Sequence, residues 1–390
     1  MDKGNWVVER AAAERGLTMK RLKNVLLGAA MVSGLAFSSL AFGQQAGAPI
    51  RLDGQTLDPA IQAMLENDKV KEEAAKGKPG NDPNTAAGMK AIRDEVNGDW
   101  AAGTAAAPEM ASVKDAVVKS GKASIPVRIY RPKASGPLPT IVYYHGGAWF
   151  VGGVAGSDLS SRQLAHDAKA IVVSVEYRMA PEAPYPSSWD DAESAFDWAI
   201  GQAKSLGGVP DQVCVAGDSA GGNMAIVVTT RRMAKGQSAP LCQILYYPAV
   251  DNRPVDAMRA TYNSSRLFGE GFRLNRSFTD YILPIVFPDQ DLSQPEVSPL
   301  FDATRKMPPT LIATAGFDPL RDSERAYAAK LAQGGNYLIY REFPTLIHGF
   351  LQHTGLSEAA ARASRETAQA AGVLAREAAA AQDAKAKLGK

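Results

Sequence analysis

The feature of the chain that most restricts its fold is an alternation of wholly apolar runs with segments of helical periodicity. Between residues 139 and 248, the runs "PTIVYYH", "AIVVSVEYR", "QVCVAG" and "CQILYYP" alternate with such helical segments. Strands that are apolar along their whole length are typical of a parallel sheet covered on both faces. Because parallel strands need long crossovers, which helices supply, we predict an α/β fold with helices on both faces of the sheet.

Further runs complete the predicted sheet and frame two helical additions to it. "ASVKDAVVK" and "ASIPVRIYRP" precede the alternation as a hairpin, and "PTLIATAG" and "YLIYREFP" follow it. We therefore expect a mostly parallel eight-stranded sheet in a main domain over residues 111–390. A stretch at about 251–299, crowded with aromatic and Pro residues, interrupts this domain and indicates a helical insertion. Residues 44–110 mix helical periodicity with turn-rich "GKPGNDPNTAAG" and predict a helical cap arm.

The overall charge gives no reason to expect a polyanionic partner. Lys and Arg number 43 against 41 Asp and Glu, which leaves a formal charge of +2 over 390 residues. Proteins that bind nucleic acid usually carry a clear excess of basic residues. We expect a small, weakly charged ligand and no nucleic acid.

A secretory signal peptide is predicted near the amino terminus. "MKRLKNVLLGAAMVSGLAFSSLAFGQQ", starting at Met19, has a basic start, an apolar run over residues 25–40 and small residues at the end. The run is shorter than the roughly 20 residues that a spanning helix needs, so we expect no stable membrane anchor. We predict a signal peptide over residues 1–43, cleavage after Gly43, translation starting at Met19, and a periplasmic or secreted protein.

The two cysteines, Cys214 and Cys242, each fall in a predicted interior strand. A buried thiol there behaves as a small apolar residue, so we favour free thiols, although an oxidising compartment permits a disulfide. Neither cysteine has a second cysteine or a histidine at metal-ligand spacing. We therefore expect no metal.

The stretch "VCVAGDSAGG" combines a predicted strand, a Gly-x-Ser-x-Gly sequence and a predicted helix. This is the pattern of a nucleophile elbow, in which Gly217 and Gly221 lack side chains that would clash while Ser219 occupies a strained turn. The turn exposes the serine hydroxyl and directs the backbone N–H of Ala220 toward a developing oxyanion.

A serine needs a base, and the chain offers four histidines. His348, in "PTLIHGF", directly follows a predicted strand and is our candidate base. His166 and His353 are expected at the surface. For the acid we favour Asp318, just past the strand in "ATAGFDPLRDSE", over Asp322, which is one helical turn further on.

The glycines of "HGGAWF" follow another predicted strand, and we predict that Gly146, Gly147 and Ala220 donate N–H groups to an oxyanion. His145 is expected to hold this loop by hydrogen bonds. Asp218, beside the serine, is expected to stabilise the elbow. The aromatic residues Trp149, Phe268 and Phe272 are candidate linings of a substrate pocket.

Five motifs, "HGGAWF", "YRMAPEAPYP", "GDSAGG", "DPLRD" and "HGF", occur in this order. Over residues 55–385 the chain thereby resembles the hormone-sensitive-lipase-like branch of the α/β hydrolases, the bacterial family IV esterases. The resemblance implies a carboxylesterase whose triad is Ser219, Asp318 and His348, with no cofactor. It also implies a cap built from the arm and the insertion, and a possible homodimer through the last strand and the C-terminal helix. The family's first motif often has a third glycine where this chain has Ala148.

The sequence therefore predicts an exported serine hydrolase for small esters, with short to medium acyl chains. Arg178 and Glu182 of "YRMAPEAPYP" are expected to brace a structural loop. Two alternatives remain open. One is a deacetylase or amidase acting on small acylated substrates, because the same triad cleaves several acyl bonds. The other is a receptor on this fold that binds a ligand without turnover, although receptors of this type typically lack the base.

Overall fold

The computed structural model describes residues 48–76, 80–303 and 305–388. The signal peptide predicted over residues 1–43 and the start predicted at Met19 lie outside these ranges and stay predictions. Within the described ranges, every helix is too short or too polar to cross a membrane.

A single large sheet carries the fold, and a two-stranded hairpin, β1 (Arg51–Leu52) and β2 (Gln55–Thr56), precedes it. The large sheet has eight strands in the order β10-β9-β8-β7-β5-β6-β4-β3. The β3–β4 and β4–β6 pairs are antiparallel, and the other pairs are parallel. The predicted mostly parallel eight-stranded sheet is thus confirmed. Its strands are β3 (Met110–Ser120), β4 (Ala123–Pro132), β5 (Leu138–Tyr144), β6 (Ile171–Val175), β7 (Gly208–Asp218), β8 (Gln243–Tyr246), β9 (Thr310–Phe317) and β10 (Leu338–Ile347).

Helices cover both faces of this sheet, as the continuous apolar strands require. The described α-helices are α1 (Pro59–Ala75), α2 (Ala86–Gly103), α3 (Asp158–Ala168), α4 (Ser187–Gln202), α5 (Ala220–Ala234), α6 (Val255–Thr261), α7 (Asn263–Leu267), α8 (Arg276–Val286), α9 (Arg321–Gln333) and α10 (Glu358–Leu388). One core cluster packs α2, α4, α5, α8 and α9 against the sheet, and the other packs α1, α3 and α10. The candidate site lies at the carboxyl ends of the central parallel strands, between these two layers.

The arm and the insertion contribute helices around that end of the sheet. Helices α1 and α2 fall within residues 44–110, and α6, α7 and α8 fall within 251–299. Arg273 of the insertion forms an ion pair with Asp68 of α1 at 2.8 Å. Arg93 of α2 donates to the carbonyl oxygens of Phe150 and Ala180, at 3.0 and 2.8 Å. These contacts join the arm to the insertion and to the loops that follow β5 and β6.

The structure corrects the prediction of free thiols, because Cys214 and Cys242 form a disulfide. Cys214 lies on β7 and Cys242 directly precedes β8, the neighbouring parallel strand, and their Cα atoms are 4.8 Å apart, within the range that a disulfide spans. Both residues are fully buried. The sequence alone could not predict this disulfide, because the pairing depends on which strands are neighbours in the sheet.

Candidate active site

Ser219 lies in a sharp turn between the end of β7 and the start of α5. Its backbone has φ +54° and ψ −116°, a combination that L-residues rarely adopt. A Cβ on Gly217 would come within 2.3 Å of the Gly221 backbone, and one on Gly221 would come within 1.9 Å of the Tyr144 carbonyl oxygen. Only glycine fits either position. The hydroxyl is therefore held at the carboxyl end of the central strand.

His348, directly after β10, reaches this hydroxyl. Its Nε2 is 2.9 Å from Ser219 Oγ, and its Nδ1 is 2.6 Å from Asp318 Oδ2. The His348 side chain is only 10% exposed. The structure thus brings together the three residues that the sequence proposed as nucleophile, base and acid, although they are up to 129 positions apart in the chain.

Asp318, directly after β9, is fully buried and accepts a second hydrogen bond from the Leu320 backbone N–H at 2.8 Å. This bond leaves one carboxylate oxygen facing the imidazole. The alternative acid, Asp322, faces elsewhere. Its carboxylate accepts from the Ser264 N–H at 2.8 Å and from Arg321 Nε at 3.0 Å.

The loop after β5 requires a correction to the predicted oxyanion donors. The Gly146 N–H donates to Asp218 Oδ1 at 2.7 Å and is buried, so it is not available to a ligand. Gly147 and Ala148, in contrast, are both partly exposed, and their N–H groups donate to no other described residue. Among the N–H groups near Ser219, those of Gly147, Ala148 and Ala220 thus donate to no described residue. The sequence signal for Ala148 was its place at the third position of the glycine motif.

His145 holds this loop. It is fully buried, and its ring stacks on Tyr177 with centroids 4.2 Å apart. Its Nδ1 is 2.7 Å from the Gly146 carbonyl oxygen, and the Tyr177 hydroxyl donates to the His145 carbonyl oxygen at 2.7 Å. Burial lowers the pKa of His145. A neutral ring buried in this way suits a support for the loop.

The other two histidines lie away from the serine, and one of them was misplaced. His166 is exposed beside Asp167, as expected. His353 is only 4% exposed, so the expectation of a surface residue was wrong. Burial, together with the positive charge of Arg273, lowers the pKa of His353 to about 3.

The three candidate pocket aromatics do not form one cluster. Trp149 is buried and stacks on Trp189, with centroids 5.2 Å apart, on one side of the sheet. Phe268 and Phe272 pack against Phe317 on the other side, with centroids 5.3 and 5.6 Å from it. Motif spacing cannot reveal this separation, because it arises from how the insertion folds back over the sheet.

The loop "YRMAPEAPYP" is braced by its charged residues. Arg178 donates from Nε and Nη2 to the buried Asp191 carboxylate, at 2.9 and 2.7 Å. Glu182 accepts from both terminal nitrogens of Arg93, at 3.0 and 2.7 Å. This arrangement of Arg178 and Glu182 agrees with a structural function for the loop.

One residue beside the acid was missed. Glu324, on α9, is fully buried, and neither of its carboxyl oxygens has a hydrogen-bond partner in the described structure. Burial, and then the neighbouring carboxylates of Asp318 and Glu342, raise its pKa well above the ordinary value. The sequence gave no signal for it, because a glutamate on a helix is usually exposed.

Glu324, Asp318 and His348 offer ligand atoms that lie within 4.8 Å of one another, a spacing that a metal ion could bridge. Both ring nitrogens of His348 are already engaged, one by Ser219 and the other by Asp318. A metal would have to break one of those bonds. The group therefore suits proton transfer better than metal binding.

Comparisons with known proteins show which family this chain resembles. Residues 141–352 match the model of a protein family whose description is "alpha/beta hydrolase fold". The chain is 35% identical over 330 residues to the carboxylic ester hydrolase LipN of Mycobacterium tuberculosis, covering 82% of this chain and 84% of LipN. It is 31% identical over 268 residues to the ethyl acetate hydrolase of Pseudomonas putida, covering 66% of this chain and 81% of that protein.

Solved structures agree as well. An ester hydrolase from the metagenome of Lake Arreo superposes with a TM-score of 0.72 at 33% identity, covering 81% of this chain and 98% of that one. The fold and the site define an α/β hydrolase. The chain belongs to this family, in its hormone-sensitive-lipase-like branch.

Proposed function

We propose that this chain, a carboxylic ester hydrolase by its family and relatives, cleaves esters through Ser219, His348 and Asp318 with an acyl-enzyme intermediate. The observation that carries the proposal is the continuous path from Ser219 Oγ through His348, 2.9 Å on one side of the ring, to Asp318, 2.6 Å on the other. A serine hydroxyl is a weak nucleophile until an adjacent base takes its proton, and this path provides that base.

Each side chain then has one function in the reaction. Ser219 Oγ attacks the ester carbonyl carbon while His348 Nε2 accepts the hydroxyl proton. Asp318 orients the ring and stabilises the imidazolium that forms. His348 returns the proton to the leaving alcohol, and the acyl group stays on Ser219. A water molecule, deprotonated by His348, releases the acid and restores the hydroxyl.

The tetrahedral intermediates carry a negative oxygen, and we assign its stabilisation to the N–H groups of Gly147, Ala148 and Ala220. The partial exposure of Gly147 and Ala148 supports this set. Ala220 is the first residue of α5, so the positive end of the helix dipole adds to its donor. Preorganised donors of this kind each typically contribute roughly 10²- to 10³-fold in kcat.

We propose short to medium acyl chains as substrates. Two observations support this size. Trp149, Trp189 and Phe287 fill the space behind the glycine loop with closely packed rings, with centroids 5.2 to 5.3 Å apart. One relative is named for ethyl acetate, a small ester.

We also propose that the enzyme is exported to the periplasm or secreted, without a stable membrane anchor. The signal-peptide pattern before Gln44 carries this proposal. The Cys214–Cys242 disulfide supports it, because such bonds persist in oxidising compartments. Amino-terminal sequencing of the mature enzyme, purified from a host that exports it, tests this proposal. A mature start at Gln44 is expected, and an intact Met19 would contradict it.

A homodimer through β10 and α10 is a further proposal. β10 is an edge strand, with β9 as its one neighbour in the described sheet, and an edge of this kind can pair with a strand of a second copy. Sedimentation velocity tests it. A monomer at micromolar concentration would contradict it.

The function is tested by measuring hydrolysis of p-nitrophenyl esters from acetyl to palmitoyl by the protein from Gln44 onward. Activity should peak at short chains. Ser219→Ala should fold normally and lose kcat by roughly 10⁴-fold or more, as loss of a triad member does. Parallel assays with p-nitroanilide amides separate ester from amide cleavage. Equal activity of Ser219→Ala and wild type would refute the mechanism.

A further inference from the structure

Glu324 is a buried carboxyl group for which the mechanism above has no use. It lies on α9, six residues after Asp318, with 0% exposure, and both its oxygens lack hydrogen-bond partners among the described residues. Burying an unpaired polar group destabilises the folded state, and a charged group does so more strongly. An uncompensated carboxyl directly beside a catalytic pair therefore needs an explanation.

The charged groups around Glu324 are already committed to other partners. Arg321 donates to the Asp53 and Asp322 carboxylates, at 2.6 and 3.0 Å. Arg325 donates to both oxygens of Glu342, at 2.8 and 2.5 Å. The Tyr340 hydroxyl also donates to Glu342, at 2.9 Å. Neither arginine is left to neutralise Glu324 directly.

The remaining neighbours are Asp318 and His348, whose ligand atoms lie within 4.8 Å of a Glu324 oxygen and of each other. Ionising both of two buried carboxyls at this separation is unfavourable, because the two negative charges repel each other. Asp318 accepts bonds from the Leu320 N–H and from His348 Nδ1, whereas Glu324 accepts none from the described residues. The donors that stabilise a negative charge therefore face Asp318, while burial raises the pKa of Glu324 and favours its protonated form.

We propose that Glu324 is a positioning residue that shares one negative charge with Asp318: it holds the proton while Asp318 is ionised, and it takes the charge when Asp318 is lost. This inference rests on the proposed triad. In the intact enzyme, a neutral Glu324 leaves Asp318 as the one ionised carboxyl of the pair facing the imidazole. Without Asp318, the Glu324 carboxyl is close enough to His348 to stabilise the imidazolium.

The first test is a double-mutant cycle on p-nitrophenyl butyrate hydrolysis. Glu324→Gln alone keeps a neutral group of the same shape, and its effect on kcat/KM is the reference factor of the cycle. Asp318→Ala should lower kcat/KM by about 10³-fold or more. Adding Glu324→Gln to Asp318→Ala should cost at least about a further tenfold at pH 8 and little at pH 5, since the residual activity then depends on ionised Glu324.

Asp322→Asn is the matched control, because Asp322 lies on the same helix and faces Ser264 and Arg321 rather than His348. It should change kcat/KM by the same factor with and without Asp318. If Glu324→Gln also has one constant factor in both backgrounds at every pH, the carboxyl is structural and the proposal is overturned. A Glu324→Gln single variant as damaged as Asp318→Ala would overturn it as well.

A second test does not depend on turnover and uses the urea midpoint of unfolding against pH. The pKa of Glu324 is raised in the folded state, so the folded protein binds more protons than the unfolded chain above the ordinary glutamate value. The wild-type midpoint should therefore fall relative to Glu324→Gln as pH rises from about 4.5. In the Asp318→Ala background this fall should be smaller. A pH-independent difference would overturn the proposal even if the wild type hydrolyses no ester, a result that would separately refute the proposed function.

Discussion

Asp218 on the nucleophile side of the site and Glu324 on the acid side are both buried carboxyls, and their surroundings differ. Asp218 accepts from the Tyr143 hydroxyl at 2.6 Å, from the Gly146 N–H at 2.7 Å and from Gln352 Nε2 at 3.3 Å. Glu324 accepts from none of the described residues. The two carboxyls therefore differ in their hydrogen-bond donors. Asp218 has donors and fixes the backbone, whereas Glu324 has none among the described residues and is proposed to keep its proton.

The largest expected effect is on the acid side. Asp318→Asn should lower kcat by about 10⁴-fold, because an amide in this place favours the wrong tautomer of the imidazole. The measurement is kcat on a short p-nitrophenyl ester, with folding checked by circular dichroism. Asp322→Asn, its matched control, should lose less than about tenfold, since its carboxylate contacts Ser264 and Arg321. A reversed order would make Asp322 the acid.

An intermediate effect is expected on the nucleophile side. Asp218→Asn replaces an acceptor of three hydrogen bonds by an amide that also donates. The hydrogen bond from the Gly146 N–H should weaken, and the turn at Gly146 should shift. We expect kcat to fall by roughly 10²-fold with a smaller change in KM, and the free energy of unfolding to fall by about 1–3 kcal/mol. Glu324→Gln, the same kind of change on the acid side, should be nearly silent. Equal losses in both variants would remove the distinction between the two carboxyls.

The smallest effect is expected at Ala148, which has φ +53°, in the left-handed region that favours glycine. Ala148→Gly keeps the N–H donor and relieves the backbone. We expect kcat within about twofold of wild type and a change in unfolding free energy of less than about 1 kcal/mol. Ester kinetics and urea unfolding measure both. A large loss of kcat would show that the methyl group, rather than the amide, is needed.

Much of this site could be predicted from the sequence because its parts are local. A strand, a Gly-x-Ser-x-Gly turn and a helix form one continuous segment, so the position of Ser219 follows from neighbours in the chain. The ends of parallel strands meet at one edge of the sheet, which is why the residues after β9 and β10 could be proposed as partners of Ser219.

The errors share a physical cause, which is dependence on contacts distant in the chain. The Gly146 N–H is occupied because Asp218, 72 positions later, lies beneath it. His353 is buried by elements that the pattern after β10 did not reveal. Glu324 differs from an ordinary helical glutamate only because α9 packs its face against the acid.

The disulfide closes a ring of chain that contains the end of β7, the nucleophile and all of α5. Its two sulfurs belong to residues with 0% exposure in the finished fold. Because an oxidant has no direct access to buried sulfurs, we expect the bond to form before the sheet closes over it. Whether the two cysteines are bonded should therefore depend on the compartment in which the chain folds. Enzyme produced in a reducing cytoplasm and later moved to an oxidising medium should keep free thiols.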